Sequence, residues 1–114
     1  MTYYDETAFF KAWRTGVALA GERYFGNGTH SPATTSSMWD LAPDLERINH
    51  DIGVLSRKEA TFLAALVSFY DPPAGADLQR QVDARALSEI AASLDHTRRQ
   101  VLADLFITYP GWRR

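Results

Sequence analysis

Residues 56–73, SRKEATFLAALVSFYDPP, restrict the possible folds of this chain more than any other stretch. Ser56 lies three residues before Glu59. At that spacing the serine hydroxyl accepts a hydrogen bond from the Glu59 amide while the glutamate returns to the Ser56 amide, satisfying donors that a helix start otherwise leaves orphaned. Beyond this box Phe62, Leu63, Leu66, Val67, Phe69 and Tyr70 recur at spacings of three and four, and the tandem prolines after Asp71 prevent continuation. The pattern predicts a well-capped, strongly apolar helix without chemistry of its own, a core element first and a binding surface second.

A chain of 114 residues with 46% hydrophobic and 12% aromatic content can build a core, and one domain spanning residues 1–114 is expected. The absence of cysteine excludes disulfides, thiolate zinc sites and a cysteine nucleophile, and fits a reducing cytoplasm. The opening MTYYDETAFFKAW carries acids where a secretory leader needs basic residues. No apolar run approaches the roughly 18 residues of a membrane span. A soluble cytoplasmic protein that does not engage a membrane is expected. The net charge of −2 argues against a general polyanion binder, but the charges are unevenly placed. Residues 1–84 hold 7 basic and 11 acidic side chains, and residues 85–114 hold 5 basic and 3 acidic, so any nucleic-acid contact belongs near the C-terminus.

Helical periodicity organises the rest of the chain. Phe9, Trp13, Val17 and Tyr24 predict a first helix from about Asp5 to Phe25, stopped at Gly26-Asn27-Gly28. The hydroxyl-rich stretch from Thr29 to Ser37 has no apolar period and reads as the longest loop and the most mobile surface. Ser36 or Ser37 caps a turn containing Met38, Trp39 and Leu41. Pro43 suits the first turn of a further helix with Leu45, Ile48 and Ile52 inside. After the prolines, Leu78 and Val82 mark one helix, Leu87, Ile90, Ala91 and Leu94 another, and Val101, Leu102, Leu105 and Phe106 a last one, closed by Tyr109-Pro110-Gly111. No segment alternates as a half-buried strand does. The expected fold is all-α, a compact orthogonal bundle of about five to seven short helices.

Chemistry is sparse. His30, His50 and His96 bring no nucleophile and orienting acid with them in sequence. Glu46 and His50, four apart, have a spacing compatible with two metal ligands but lack further ones, and a hydrogen-bonded helix pair accounts for them. Gly26-Asn27-Gly28-Thr29 follows a helix rather than a strand and lacks the lysine of a phosphate loop. No catalytic, cofactor-binding or metal-ligating residue is assigned, and no enzyme is expected unless a constellation assembles only in three dimensions.

The segment Leu87 to Phe106 resembles a helix-turn-helix, with Ile90, Ala91 and Leu94 inside, a tight turn, and Val101 seven residues after Leu94. On that reading Thr97, Arg98 and Gln100 face the major groove and Arg99 a phosphate. Asp95 departs from the pattern where the turn favours glycine, and so does His96 where it favours an apolar residue. Asp95 equally suits an N-cap. Trp39 and Trp112 are the aromatic residues least explained by helical period. Each either anchors a protein partner or clamps its own segment onto the core.

LSRKEATFLAALVSFY, taken with TSSMWDLAPDL and LADLFITYPGW, resembles small helical accessory proteins carried by proteobacterial plasmids, phages and integrative elements. The resemblance implies either a protein that binds and blocks a host defence complex, as anti-CRISPR proteins do, or a regulator of the element's genes. The expected function is therefore non-catalytic binding of a macromolecule, a protein first, with a helix-turn-helix DNA binder as the alternative.

Overall fold

The computed structural model describes residues 5–26 and 31–112. Among them are six α-helices, with short 3-10 turns only between α1 and α3, and no strand forms. The helices are α1 (Glu6–Ala20), α2 (Leu45–Asp51), α3 (Arg57–Tyr70), α4 (Pro72–Gln81), α5 (Leu87–Ser93) and α6 (His96–Thr108). The fold is the expected all-α bundle. Its extents of 36 × 32 × 25 Å are too nearly equal for a long parallel bundle.

The cap predicted at Ser56 forms as drawn: the Glu59 amide donates to Ser56 Oγ at 3.2 Å and the Ser56 amide to Glu59 Oε1 at 3.1 Å. From Ala60 to Val67 every residue of α3 is buried, so this helix is the axis of the core rather than a one-sided face. α1 packs against it and along α6. Gly16 is the point of closest approach, because a Cβ there would lie 3.3 Å from both Leu66 and Val101 side chains. Trp13, fully buried, donates its indole N–H to the Leu41 carbonyl at 3.0 Å and so ties α1 to the 3-10 turn Met38–Leu41, which Ser37 caps.

Three expectations need correcting. α1 ends at Gly21, not near Phe25: Gly21 takes φ 121°, a conformation open to glycine, and Glu22–Tyr24 follow as a separate 3-10 turn. The turn buries Tyr24 and Phe25 against the body of the molecule, which a straight continuation of α1 would not do. Asn27 to His30 lie outside the described residues, so the stop at Asn27-Gly28 and the first part of the predicted loop do too. The remainder of that loop is not a loose surface, since Pro32 and Thr35 are buried and Thr35 Oγ1 donates to Asp40 at 2.7 Å. Pro43 precedes α2 instead of opening it. It pairs with Phe25 as an isolated bridge, while Asp44 becomes the N-cap and accepts from the Arg47 amide.

The prolines end α3, as expected, and the next helix begins on them without a linker. Asp71 ends α3 and at once caps α4, whose first two positions are Pro72 and Pro73, sites where a missing amide proton costs nothing. α4 then folds back so tightly that a Cβ on Gly75 would lie 2.4 Å from Ser68 Cα. The buried hydrophobic residues of all these elements join in one core cluster, with Trp112 packed against it.

Candidate interaction groove

Arg57 organises the corner between α4 and α5. Its guanidinium donates to the carbonyls of Val82 at 3.1 Å and Asp83 at 3.0 Å, and its Nε to Ser93 Oγ at 2.9 Å. Asp83 there adopts φ 56°, a left-handed conformation that aspartate tolerates better than most residues. The corner sets α5 beside α3 at an angle that leaves a groove of about 420 Å³ between them and α6. Ala65, Ser68 and Phe69 of α3 form its floor, Leu87 and Ile90 of α5 one wall, and Leu102 and Phe106 of α6 the other. Tyr109 closes one side, its hydroxyl 3.4 Å from the Phe69 carbonyl.

The walls carry apolar surface left exposed among the described residues. Leu87 is 74% exposed and Phe106 63%, and Ile107, next to Phe106, is 66% exposed. None of the seven residues of α5 is buried. Helical periodicity places Leu87 and Phe106 in core stripes and Tyr109 at the helix stop, and leaves Ile107 unassigned. A signal was nevertheless present. Val101, Leu102, Leu105, Phe106 and Ile107 span a wider arc than one buried face of a helix accommodates, so part of it must face outward.

Trp39 and Trp112, far apart in sequence, come together with ring centroids 5.5 Å apart. Trp112 is half-buried and packs on Trp13 at 4.8 Å, Tyr70 at 5.3 Å and Phe9 at 6.0 Å, so it holds the chain after α6 against α1 and α3. Its indole nitrogen is buried and meets no acceptor among the described residues. Trp39 covers the outer side of this cluster and retains an exposed edge.

The side chains of the helix-turn-helix segment are largely engaged within the fold. Asp95 caps α6, accepting from the Arg98 amide at 2.9 Å, and its other oxygen takes Arg98 Nη1 at 2.6 Å and Lys58 Nζ at 3.5 Å. The backbone hydrogen bond first, and then these cations, hold the Asp95 carboxyl below the usual carboxylate range. The Arg98 side chain is only 16% exposed and lies over the Phe62 ring, pointing back to α3. Arg99 Nε donates to the Ala91 carbonyl and Gln100 Nε2 to Asp104. Thr97 alone of the four makes no side-chain contact of this kind among the described residues, and it stands exposed.

A second polar cluster surrounds Asp51. Tyr24 donates its hydroxyl at 2.8 Å, Arg23 lies at 3.2 Å and His50 Nδ1 at 2.8 Å, so His50 pairs with its neighbour and not with Glu46. The hydrogen bonds from His50 and Tyr24 lower the Asp51 pKa, while burial and the same bond raise that of Tyr24. Every partner here already satisfies another, which makes the cluster a fastening between the 22–24 turn and α2. Among the described residues no group of three or more His, Asp or Glu side chains is placed to hold a metal ion. No helix there is long and apolar enough to cross a membrane. Compared with family models, curated proteins and solved structures, the chain gives no match.

Proposed function

We propose that this chain is a non-catalytic, cytoplasmic protein-binding module whose partner seats on the groove between α3, α5 and α6. One observation carries the reading: bulky apolar side chains at Leu87, Phe106 and Tyr109 stand exposed together around one concavity, on a molecule whose other large apolar residues are mostly packed away. Contiguous apolar surface rimmed by polar residues is how protein-interaction sites differ from the rest of a surface. The described liners offer no activated nucleophile, since the Ser68 hydroxyl is donated to the Ala65 carbonyl at 2.6 Å and no histidine is among them. In the setting that the sequence resembles, a mobile-element accessory protein, such a module would act by occluding a host defence complex, in the manner of an anti-CRISPR protein.

The test is a pull-down from a bacterial host lysate with the tagged chain and with a Leu87→Ser/Phe106→Ser variant, each with and without nuclease. A stoichiometric protein that survives nuclease and is lost with the variant supports the reading. Retained nucleic acid, with protein partners that vanish on nuclease treatment, would replace it by DNA binding through the Thr97–Gln100 segment.

A further inference from the structure

The walls of the groove are helical ridges: Leu87 and Ile90 are three apart on α5, Leu102 and Phe106 four apart on α6, and Ala65, Ser68 and Phe69 follow the same steps along the floor. Ridges at these spacings receive the ridges of another helix, as side chains of packed helices interdigitate. No sheet edge exists among the described residues for an extended peptide to join. The charge of the groove is equally definite. Arg85 is its single ionisable cation, and its guanidinium has no hydrogen-bond or ion-pair partner among the described residues. The neighbouring acid, Glu89, is bonded to the backbone amides of Arg85 and Ala86 at 3.1 and 2.9 Å; it feels the Arg85 charge but forms no ion pair with it. Gln79 stands beside Arg85 with its side-chain amide also unengaged.

Resting on the protein-binding reading above, we infer that the occupant is an amphipathic α-helix of the partner protein, with apolar residues at i, i+3 or i+4, and i+7 over Leu87 and Phe106 and an aspartate or glutamate against Arg85. The apolar face supplies the burial, and the carboxylate, met by a guanidinium beside apolar walls, fixes direction and register. A helix with a basic residue at that position is rejected by like charge.

The experiment is a selection of displayed helical peptides, randomised on one face, on the immobilised full-length chain. Selected peptides are then titrated against the wild type and the Arg85→Glu, Arg85→Ala and Leu87→Ser/Phe106→Ser variants, with circular dichroism confirming that each is folded. The expected result is enrichment of an acid at one register of the apolar pattern, with affinity falling about tenfold or more on Arg85→Ala. It should fall further on Arg85→Glu and recover when the peptide's acid is changed to lysine. Peptides that need Leu87 and Phe106 but are indifferent to the charge at position 85 overturn this inference while sparing the binding reading. A selection that yields no peptide dependent on Leu87 and Phe106 overturns both.

Discussion

α3 and α5 start in the same way: in each, a glutamate at the third helical position reaches back to the amides before it, Glu59 to Ser56 and Glu89 to Arg85 and Ala86. Both show an apolar period. Yet α3 buries eight consecutive residues and α5 none. α3 is longer and receives α1, α4 and α6 around it, whereas α5 spans two turns and packs chiefly on α3, leaving Leu87 with no neighbour to cover it. An apolar stripe states which side of a helix seeks cover; the supply of cover depends on how many other elements reach that side.

The sharpest way to break this contrast is to pry α4 from α3. Gly75→Ala gains about 1 kcal/mol of helix propensity and loses more to a Cβ driven into the α3 backbone, for a net destabilisation of about 3 kcal/mol in urea unfolding. Trp112→Ala removes a half-buried ring that contacts four others, and should cost about 2–3 kcal/mol in the same assay. Arg57→Ala frees the corner that positions α5 and should cost about 1–2 kcal/mol. Arg57→Lys should recover only part of this, because an ammonium cannot span three acceptors as the fork does. A hydrogen-exchange measurement on these variants should show protection lost at α5 before α3.

Acid should loosen the starts of both helices. Glu59 and Glu89 have their pKa values lowered, mainly by their bonds at the two caps, and Asp51 and Asp95 are lowered by their own partners. A carboxyl depressed in the folded state contributes stability in full above its unfolded value, about pH 4, and loses it as pH falls through the folded value. The melting temperature should therefore be steady from neutrality down to about pH 5 and decline below about pH 4. Tyr24, raised, gives the opposite sign: its contribution is present below about pH 10 and is lost as pH climbs through the folded value. The smallest expected effect is the most diagnostic. Leu87→Ser/Phe106→Ser should cost only about 1 kcal/mol, mainly the edge contact of the Phe106 ring with Phe69, because both side chains are largely exposed. A loss of several times that would mean α5 and the end of α6 are core after all.

The helical class, the box at Ser56, the caps at Ser37 and Asp95 and the burial of Trp13 were all legible because each rests on spacing within a few residues. Gly21, Pro43 and the packing of Pro32 and Thr35 were not, because what selects them is tertiary: Tyr24 and Phe25 must turn inward, and Phe25 must meet Pro43. The same limit applied to the groove. Leu87 and Phe106 were visible as apolar residues in helical register, but their exposure depends on which elements reach them in the fold, and the corner before α5 is itself braced by Arg57 against Val82 and Asp83, residues 25 and 26 positions away. Nor does sequence reveal that Arg98 turns toward Phe62 rather than outward.

The packing of α1 along α6 has a consequence for synthesis. Phe9, Trp13 and Gly16 find their cover in Leu66, Val101 and Trp112, so α1, which is made before them, holds an apolar face without its full set of partners until α6 and Trp112 have been made. At elongation rates of about 5–20 residues per second, that face waits several seconds. A ribosome stalled short of Val101 would therefore hold a chain whose α1 still seeks apolar company, open to capture by chaperones.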